Sequence, residues 1–500
     1  MSCRKFLISA GLLLAACFTL SVAAQLPYKG YTYNQWGEAL LSPEGYVPDR
    51  FINYTDMGLE DPLYMPQDMF YHKETKCLYI ADTDNSRIVV LNHDYQVVKI
   101  IDSLNYDGDI ESFSSPYGVY VDTDGAIYVA DTKNERIVKC DLEGNVLGLF
   151  GPPSSPALES EDFRYQPRKL VVDKDGYIYV QAQHVYQGIL CFDRDGNFVQ
   201  FFGSNRVDVT AELLFEQMLR VFMTREQRSK MLTFVPMEYS NLYLSQKGFI
   251  YAVTSKTQDS LNEIKKINTN GDNVLRVNSY RNTASYKKNN YGDYPIYYSN
   301  EGQVIDTSFI DLHYDEMGYI TALDETRGRV FVYDDESNLM FIFGGLGEQL
   351  GTFSRPTAVE KIDNDILVLD REEGAITIFR QTDFGRTVFE AIQLYNEGKY
   401  LEAMEPWQMV LQQNSNFNVA YNGLGKAYMQ MEQYNMAMHY FKLGYDKIGY
   451  SDARQELFAL WARENFGIII IAILIFILIP FVVPWLLSRR KKRKGVYDSF

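Results

Sequence analysis

The sequence predicts a mainly β fold. A six-bladed β-propeller comes first, a short all-α module follows, and one transmembrane helix ends the chain. Three observations predict this. A block of short strands and polar turns recurs along the chain; the hydrophobic period changes near residue 386; and residues 467–487 form an uncharged apolar run. At 500 residues the chain is too long for one ordinary core, so more than one domain is expected. A composition of 46% hydrophobic and 23% charged residues, with 38 Tyr, is globular and favours strands.

Residues 1–24 read as a secretory signal peptide: Arg4 and Lys5, an apolar run, then small residues at Val22-Ala23-Ala24. The stretch "LLAAC" ending at Cys17 leaves lipidation open as an alternative to cleavage. Residues 25–385 then hold the propeller, and 25–65 is its closing segment. Part of 31–52 is expected to add a strand to blade six, which removes two exposed sheet edges.

The repeat is plainest where "LYIADTDNSRIVVLNHDYQVVKII", from Leu78, returns as "IYVADTKNERIVKCDLEGNVLGLF", from Ile127. Units run Pro66–Ile101, Pro116–Gly151 and Pro167–Gly203, with looser copies from near Tyr239, near Phe309 and from Pro356. The plainest, Pro116–Gly151 and Pro167–Gly203, write a strand, an Asp-x-x-Gly turn, a second strand, a polar turn, a third strand and a Gly-Asn type turn before a fourth. Four short antiparallel strands repeated at about 50 residues make propeller blades. "YVADTKNERI", with its flanking "DTDG" and "DLEGN", resembles the NHL repeat, and the likeness runs over residues 66–380. Blade four departs from it, with Ser245 where the turn acid stands.

Two insertions break the rhythm. Residues 204–235 carry Leu214, Met218 and Phe222 at helical spacing, and residues 281–305 carry Tyr286, Tyr291 and Tyr294 in a polar loop. Both are candidate partner surfaces; capping of the channel and local packing are the alternatives. Residues 386–465 then repeat at 34 residues, pairing Ala403 with Ala437 and Trp407 with Phe441. This is similar to the tetratricopeptide (TPR) repeat, a helix-pair family that presents grooves to peptides.

At about 1.5 Å per residue, 467–487 reach roughly 31 Å, enough for a bilayer core. Six basic residues, Arg489 to Lys494, open the tail 488–500 and predict a cytoplasmic C-terminus with the N-terminal ectodomain outside. The whole chain carries −17 formally, and the segment between leader and tail is more acidic still, which argues against nucleic acid as a partner. Cys77, Cys140 and Cys191 remain after the leader, an odd count that no full set of pairs satisfies.

The Asp–Arg pairs Asp82/Arg87, Asp131/Arg136 and Asp324/Arg329 recur at the same spacing. A catalytic pair is needed once; one written three times is repeat architecture, with Asp accepting turn N–H groups and Arg pairing with an acid. The channel ring falls two residues past the start of each innermost strand: Asp68, Gly118, Lys169, Asn241, Asp311 and Ala358. Asp68, Lys169, Asn241 and Asp311 are the ligand or cation candidates, and Ca²⁺ in the channel stays open. No other cofactor is expected. His72, His93, His184, His313 and His439 have no metal-ligand spacing, and no serine-hydrolase, zincin or phosphate-loop motif occurs, so no catalytic residue is assigned. The resemblance brings an enzyme reading with it, since related propellers include metal-dependent lactonases and lyases. The chain thus looks like a bacterial single-pass membrane protein that binds or scaffolds a membrane or envelope protein. A lactonase-like hydrolase or lyase, and a carbohydrate or peptide sensor, are the alternatives.

Overall fold

In a computed structural model, the described residues are 26–34, 36–155, 158, 164–203, 238–254, 263–276, 291–294, 296–297 and 304–497. Residues 1–24, read above as a signal peptide, the insertion 204–235 with Leu214, Met218 and Phe222, and Tyr286 lie outside them. The chain divides into two compact units, Met1–Arg386 and Thr387–Phe500.

Among the described residues of the first unit, six antiparallel sheets of three or four strands are the blades, and three two-stranded hairpins lie beside them. Blade one is Asp68–His72, Cys77–Asp82, Arg87–Leu91 and Val97–Ile101; blade two is Pro116–Val121, Ile127–Asp131, Arg136–Cys140 and Val146–Phe150. Blade three is Pro167–Val172, Ile178–Ala182, Ile189–Phe192 and Phe198–Phe202. Blade four has three named strands, Tyr239–Leu244, Ile250–Thr254 and Ile264–Ile267. Its fourth position is a single bridge, Ile267 to Asn273. Blade five is Phe309–Asp315, Tyr319–Asp324, Arg329–Asp334 and Leu339–Gly344. Blade six takes Pro356–Ile362, Asp365–Asp370 and Ala375–Gln381 from its own repeat. Its outer strand is Tyr46–Ile52, which pairs antiparallel with Ala375–Gln381. A strand from ahead of blade one thus shares a sheet with the propeller's last strand, and the ring closes.

Local chemistry explains the strand spacing. In blade two, Asp122 Oδ1 accepts from the N–H groups of Asp124 (3.0 Å) and Ala126 (2.9 Å). Gly125 completes the turn at φ 83°, a left-handed conformation that suits glycine. Ser245 does the same work in blade four, where its Oγ accepts from Phe249 N at 3.1 Å. The second strands read as unbroken apolar runs because both faces are covered: Ile127, Val129 and Ala130 are fully buried. The core is distributed between blades. One cluster joins Ala81 and Val90 of blade one to Val119 and Val129 of blade two. Others join blades two and three, three and four, four and five, and six and one.

The threonine of the "ADT" motif is a second inter-blade device. Thr83 Oγ1 donates to Pro116 O of the next blade at 2.7 Å, and Thr132 Oγ1 donates to Pro167 O at 2.6 Å. Of the cysteines, Cys140 and Cys191 are buried, Cys77 is half-buried, and all three are free thiols.

The chain leaves blade six through helix α1 (Asp383–Asn396) and continues as α2 (Met404–Gln413), α3 (Asn418–Gln430), α4 (Tyr434–Leu443) and α5 (Lys447–Glu464). Trp407 and Phe441, one period apart, are both fully buried. Each rests on glycine: a methyl at Gly423 would overlap the Trp407 indole, and one at Gly425 or Gly449 would meet the Phe441 ring. Helix α6 (Phe466–Tyr497) contains the apolar stretch Phe466–Leu487, which is long and apolar enough to cross a membrane and has no part buried within the protein.

Candidate functional site

The innermost strands bring Asp68, Lys169, Asn241 and Asp311 together at the centre of the ring. The Lys169 ammonium pairs with Asp68 Oδ1 and stands 3.9 Å from Asp311 Oδ1. Asn241 Nδ2 donates to that same Asp311 oxygen. The remaining carboxylate capacity is taken by backbone. Val119 N donates to Asp68 Oδ2 at 2.9 Å, and Val359 N donates to Asp311 Oδ2 at 2.6 Å. Asp311 Oδ1 also accepts from Leu312 N at 2.8 Å. One lysine of blade three therefore links acids of blades one and five, and each acid is bonded to the blade that follows it. Gly118 and Ala358, the other two ring positions, present no polar side chain; a methyl at Gly118 would overlap the Arg168 carbonyl oxygen.

A second layer lies two residues further along the same strands: Phe70, Tyr120, Val171, Tyr243, His313 and Glu360. Of these only His313 is named from the sequence, as a histidine without metal-ligand spacing. The strand period of two was the signal that would have found the rest. His313 Nδ1 pairs with Glu360 Oε1, Tyr243 packs edge-on against His313 with ring centroids 4.8 Å apart, and Glu360 Oε2 accepts from Tyr71 N of blade one at 3.1 Å. Below it, Lys361 pairs with Asp315.

The electrostatics follow from burial. Desolvation pushes the carboxyls of Asp68 and Asp311 above the usual range, with Lys169 opposing it. Desolvation also works against the Lys169 charge, but the two acids outweigh it and the ammonium is held more firmly than usual. Burial would raise Glu360 too; the His313 imidazole and the N–H groups of Lys361 and Tyr71 together offset it, and Glu360 sits below the usual range. The cavity between the two layers measures about 70 Å³. That is room for roughly two waters, where a pocket for an organic ligand holds about 300–1,000 Å³. A Ca²⁺ ion takes 6–8 oxygens. The oxygens here are bonded to N–H groups and to an ammonium standing between the acids, so the set as it stands does not fit the ion. Among the described residues, no three His, Cys, Asp or Glu side chains converge as a metal site.

Two of the three repeat pairs meet as the spacing suggests. Asp82 Oδ2 accepts from Arg87 Nε at 2.7 Å, and Asp131 Oδ2 from Arg136 Nε at 2.9 Å. Each Asp also accepts from a backbone N–H of the preceding loop, Tyr64 and Ser114 respectively. The third pair does not form. Asp324 accepts from the N–H groups of Ser308, Thr326 and Arg327, while the Arg329 guanidinium bonds Asp293 Oδ2 at 2.8 Å.

Asp293 was not singled out in the sequence, since a lone acid in a tyrosine-rich loop carries no pattern. It is a buried node. Tyr31 and Tyr33 donate to its Oδ1 at 2.5 and 2.6 Å, and Arg327 and Arg329 donate to its Oδ2 at 2.6 and 2.8 Å. The node explains why two neighbouring tyrosines are not a free surface. Tyr291 is buried, with its hydroxyl 3.0 Å from Ser337 Oγ, and Tyr294 packs on Tyr33 at 4.9 Å. This part of the insertion fastens the hairpin of Tyr31–Tyr33 and Ala39–Leu41 to blade five.

Comparison with known proteins agrees with the repeat. The NHL repeat model matches residues 113–140, the first three strands of blade two. A curated relative, NHL repeat-containing protein 2 of Gallus gallus, is 36% identical over 107 residues, covering 20% of this chain. The chain spans about 15% of that relative's length. Among solved structures, a streptogramin B lyase aligns with TM-score 0.40 and 10% identity over 67% of this chain and 98% of its own. A gluconolactonase of Xanthomonas campestris aligns with TM-score 0.37 and 13% identity over 68% and 99%. A virginiamycin B lyase of Staphylococcus aureus aligns with TM-score 0.39 and 10% identity over 67% and 99%.

Proposed function

We propose that this chain is a membrane-anchored binding or scaffold protein of a bacterial cell envelope. One helix holds it in the membrane with the C-terminus on the cytoplasmic side. The propeller and the TPR-like module recruit a protein or ligand outside, in the service of a transport or surface complex. The observation that carries this reading is the state of the channel. Its acids are neutralised by Lys169 and by backbone donors, and its cavity of about 70 Å³ is far below the size of an organic substrate. What is left for recognition is the outer surface of the blades and their loops, the usual place for binding residues on a rigid scaffold.

The test is purification of the full chain from native membranes in mild detergent, with the eluate weighed by light scattering and read by mass spectrometry. An envelope protein present in fixed ratio, and lost when residues 204–235 are deleted, supports the reading. A chain that elutes alone and carries one tightly bound metal, released by Asp68→Ala or Asp311→Ala, replaces it with the hydrolase or lyase reading.

A further inference from the structure

Helix α5 is two different helices in one. Its first half packs into the module through Gly449 and Ala453, which are buried. Its second half carries Phe458 at 65% exposure and Trp461 at 50%, their rings 5.7 Å apart. Two large exposed aromatics in contact with one another mark a surface made for something apolar.

What lies next to them in the chain says what. The backbone barely breaks between α5 and α6: Asn465 N donates to Trp461 O at 3.0 Å, and Ile469 N donates to Asn465 O at 3.0 Å. Trp461 therefore precedes Phe466, the first residue of the apolar stretch, by five residues, about 7.5 Å along a helix. The headgroup layer of one leaflet is about 5–8 Å thick, the difference between a hydrocarbon core of about 30 Å and a bilayer of about 40–45 Å, halved. At the other end stands Trp485, 52% exposed, with the basic run from Arg489 just beyond. Along a straight helix Trp461 and Trp485 are about 36 Å apart, the separation of the two interfaces.

We infer that the distal half of α5 is a membrane-surface contact: Trp461, with Phe458 beside it, seats in the outer headgroup layer and fixes the depth of the helical module, while Trp485 marks the inner layer. Tryptophan suits this place because its ring is apolar and its indole N–H needs a polar partner. The segment also carries balanced charge, Arg454 and Arg463 against Glu456 and Glu464, so the contact does not require anionic lipid. The inference rests on the membrane reading above and adds to it a second, non-spanning contact.

The test uses the full chain reconstituted in phosphatidylcholine vesicles whose acyl chains are brominated either near the headgroup or near the methyl end. Tryptophan fluorescence is compared for the wild type, Trp461→Phe and Trp485→Phe. The expected result is quenching by the shallow bromines, of which each variant removes roughly half, since two tryptophans sit at interfaces. Trp407, buried in the module, stays unquenched and reports that the fold is kept. If Trp461→Phe leaves the quenching unchanged while Trp485→Phe abolishes it, the span is in the bilayer but α5 is not at its surface, and the inference falls alone. If the wild type shows no quenching at either depth, the membrane reading falls and takes the inference with it.

Discussion

At the end of the second strand, the same aspartate meets different neighbours in different blades. Asp82 and Asp131 each hold the Nε of an arginine. Asp324 holds three backbone N–H groups instead, because its arginine is drawn to Asp293. Burial pushes the Asp324 carboxyl up to about 6, with the neighbouring Asp293 adding to it against the backbone donors. An unfolded aspartate titrates near 3.9. Between those values the folded state holds a proton that the unfolded state has released. The contribution is therefore complete below about pH 4 and is lost as pH rises through 6, on the order of 3 kcal/mol in all. Asp324→Asn removes this titration while keeping an acceptor oxygen. We expect the melting temperature difference between wild type and Asp324→Asn to shift in the variant's favour from pH 4 to pH 7, read by calorimetry in detergent. A pH-independent difference would show that Asp324 is ionised throughout.

Between elements, the inner strands approach closely enough for one glycine to matter. A methyl at Gly118 would overlap the carbonyl oxygen of Arg168 in the next blade, and a backbone atom cannot rotate away. Gly118→Ala should lower stability by about 1–3 kcal/mol as blades two and three are forced apart. Gly151→Ala, where nothing lies within 4 Å, is the control. If both variants melt together, the blades are held less tightly than the packing implies. This level is also where the sequence was readable and where it stopped. The blades are legible because their signals are local: an Asp-x-x-Gly turn such as Asp122–Gly125, and apolar runs such as Ile127–Ala130 buried on both faces. The ring at Asp68, Lys169, Asn241 and Asp311 follows from the same register. The His313–Glu360 pair and the Asp293 node were not legible, because each joins segments with no shared pattern. Glu360 meets Tyr71 across the closure of the ring, and Asp293 gathers Tyr31, Tyr33, Arg327 and Arg329 from opposite ends of the unit. Polar composition likewise suggested an exposed loop around Tyr291, whose hydroxyl is satisfied inside by Ser337.

In the propeller as a whole, two features make six blades one object. Strand Tyr46–Ile52 closes the ring by pairing into the sheet of blade six, and Lys169 ties it at the centre by joining blades one, three and five. Removing the ammonium while leaving the acids separates its structural part from any ligand role. Lys169→Met keeps the length of the side chain and leaves Asp68 and Asp311 without their counter-charge in a buried site. Loss of one partner from such a group costs about 3–5 kcal/mol. The same change opens a small chamber lined by two carboxylates and the Asn241 amide, a set that a hard divalent cation can use. We therefore expect Lys169→Met to melt well below the wild type, and millimolar Ca²⁺ to restore part of the loss by binding the folded state alone. The wild type should be indifferent to Ca²⁺, since its own lysine holds the position. Calorimetry of both proteins with and without the ion decides the matter. A wild type that gains stability from Ca²⁺ would mean that ion and lysine share the channel. A variant as stable as the wild type would mean that the two acids take up protons when the ammonium leaves, and that the ring is held by its strands and not by its hub.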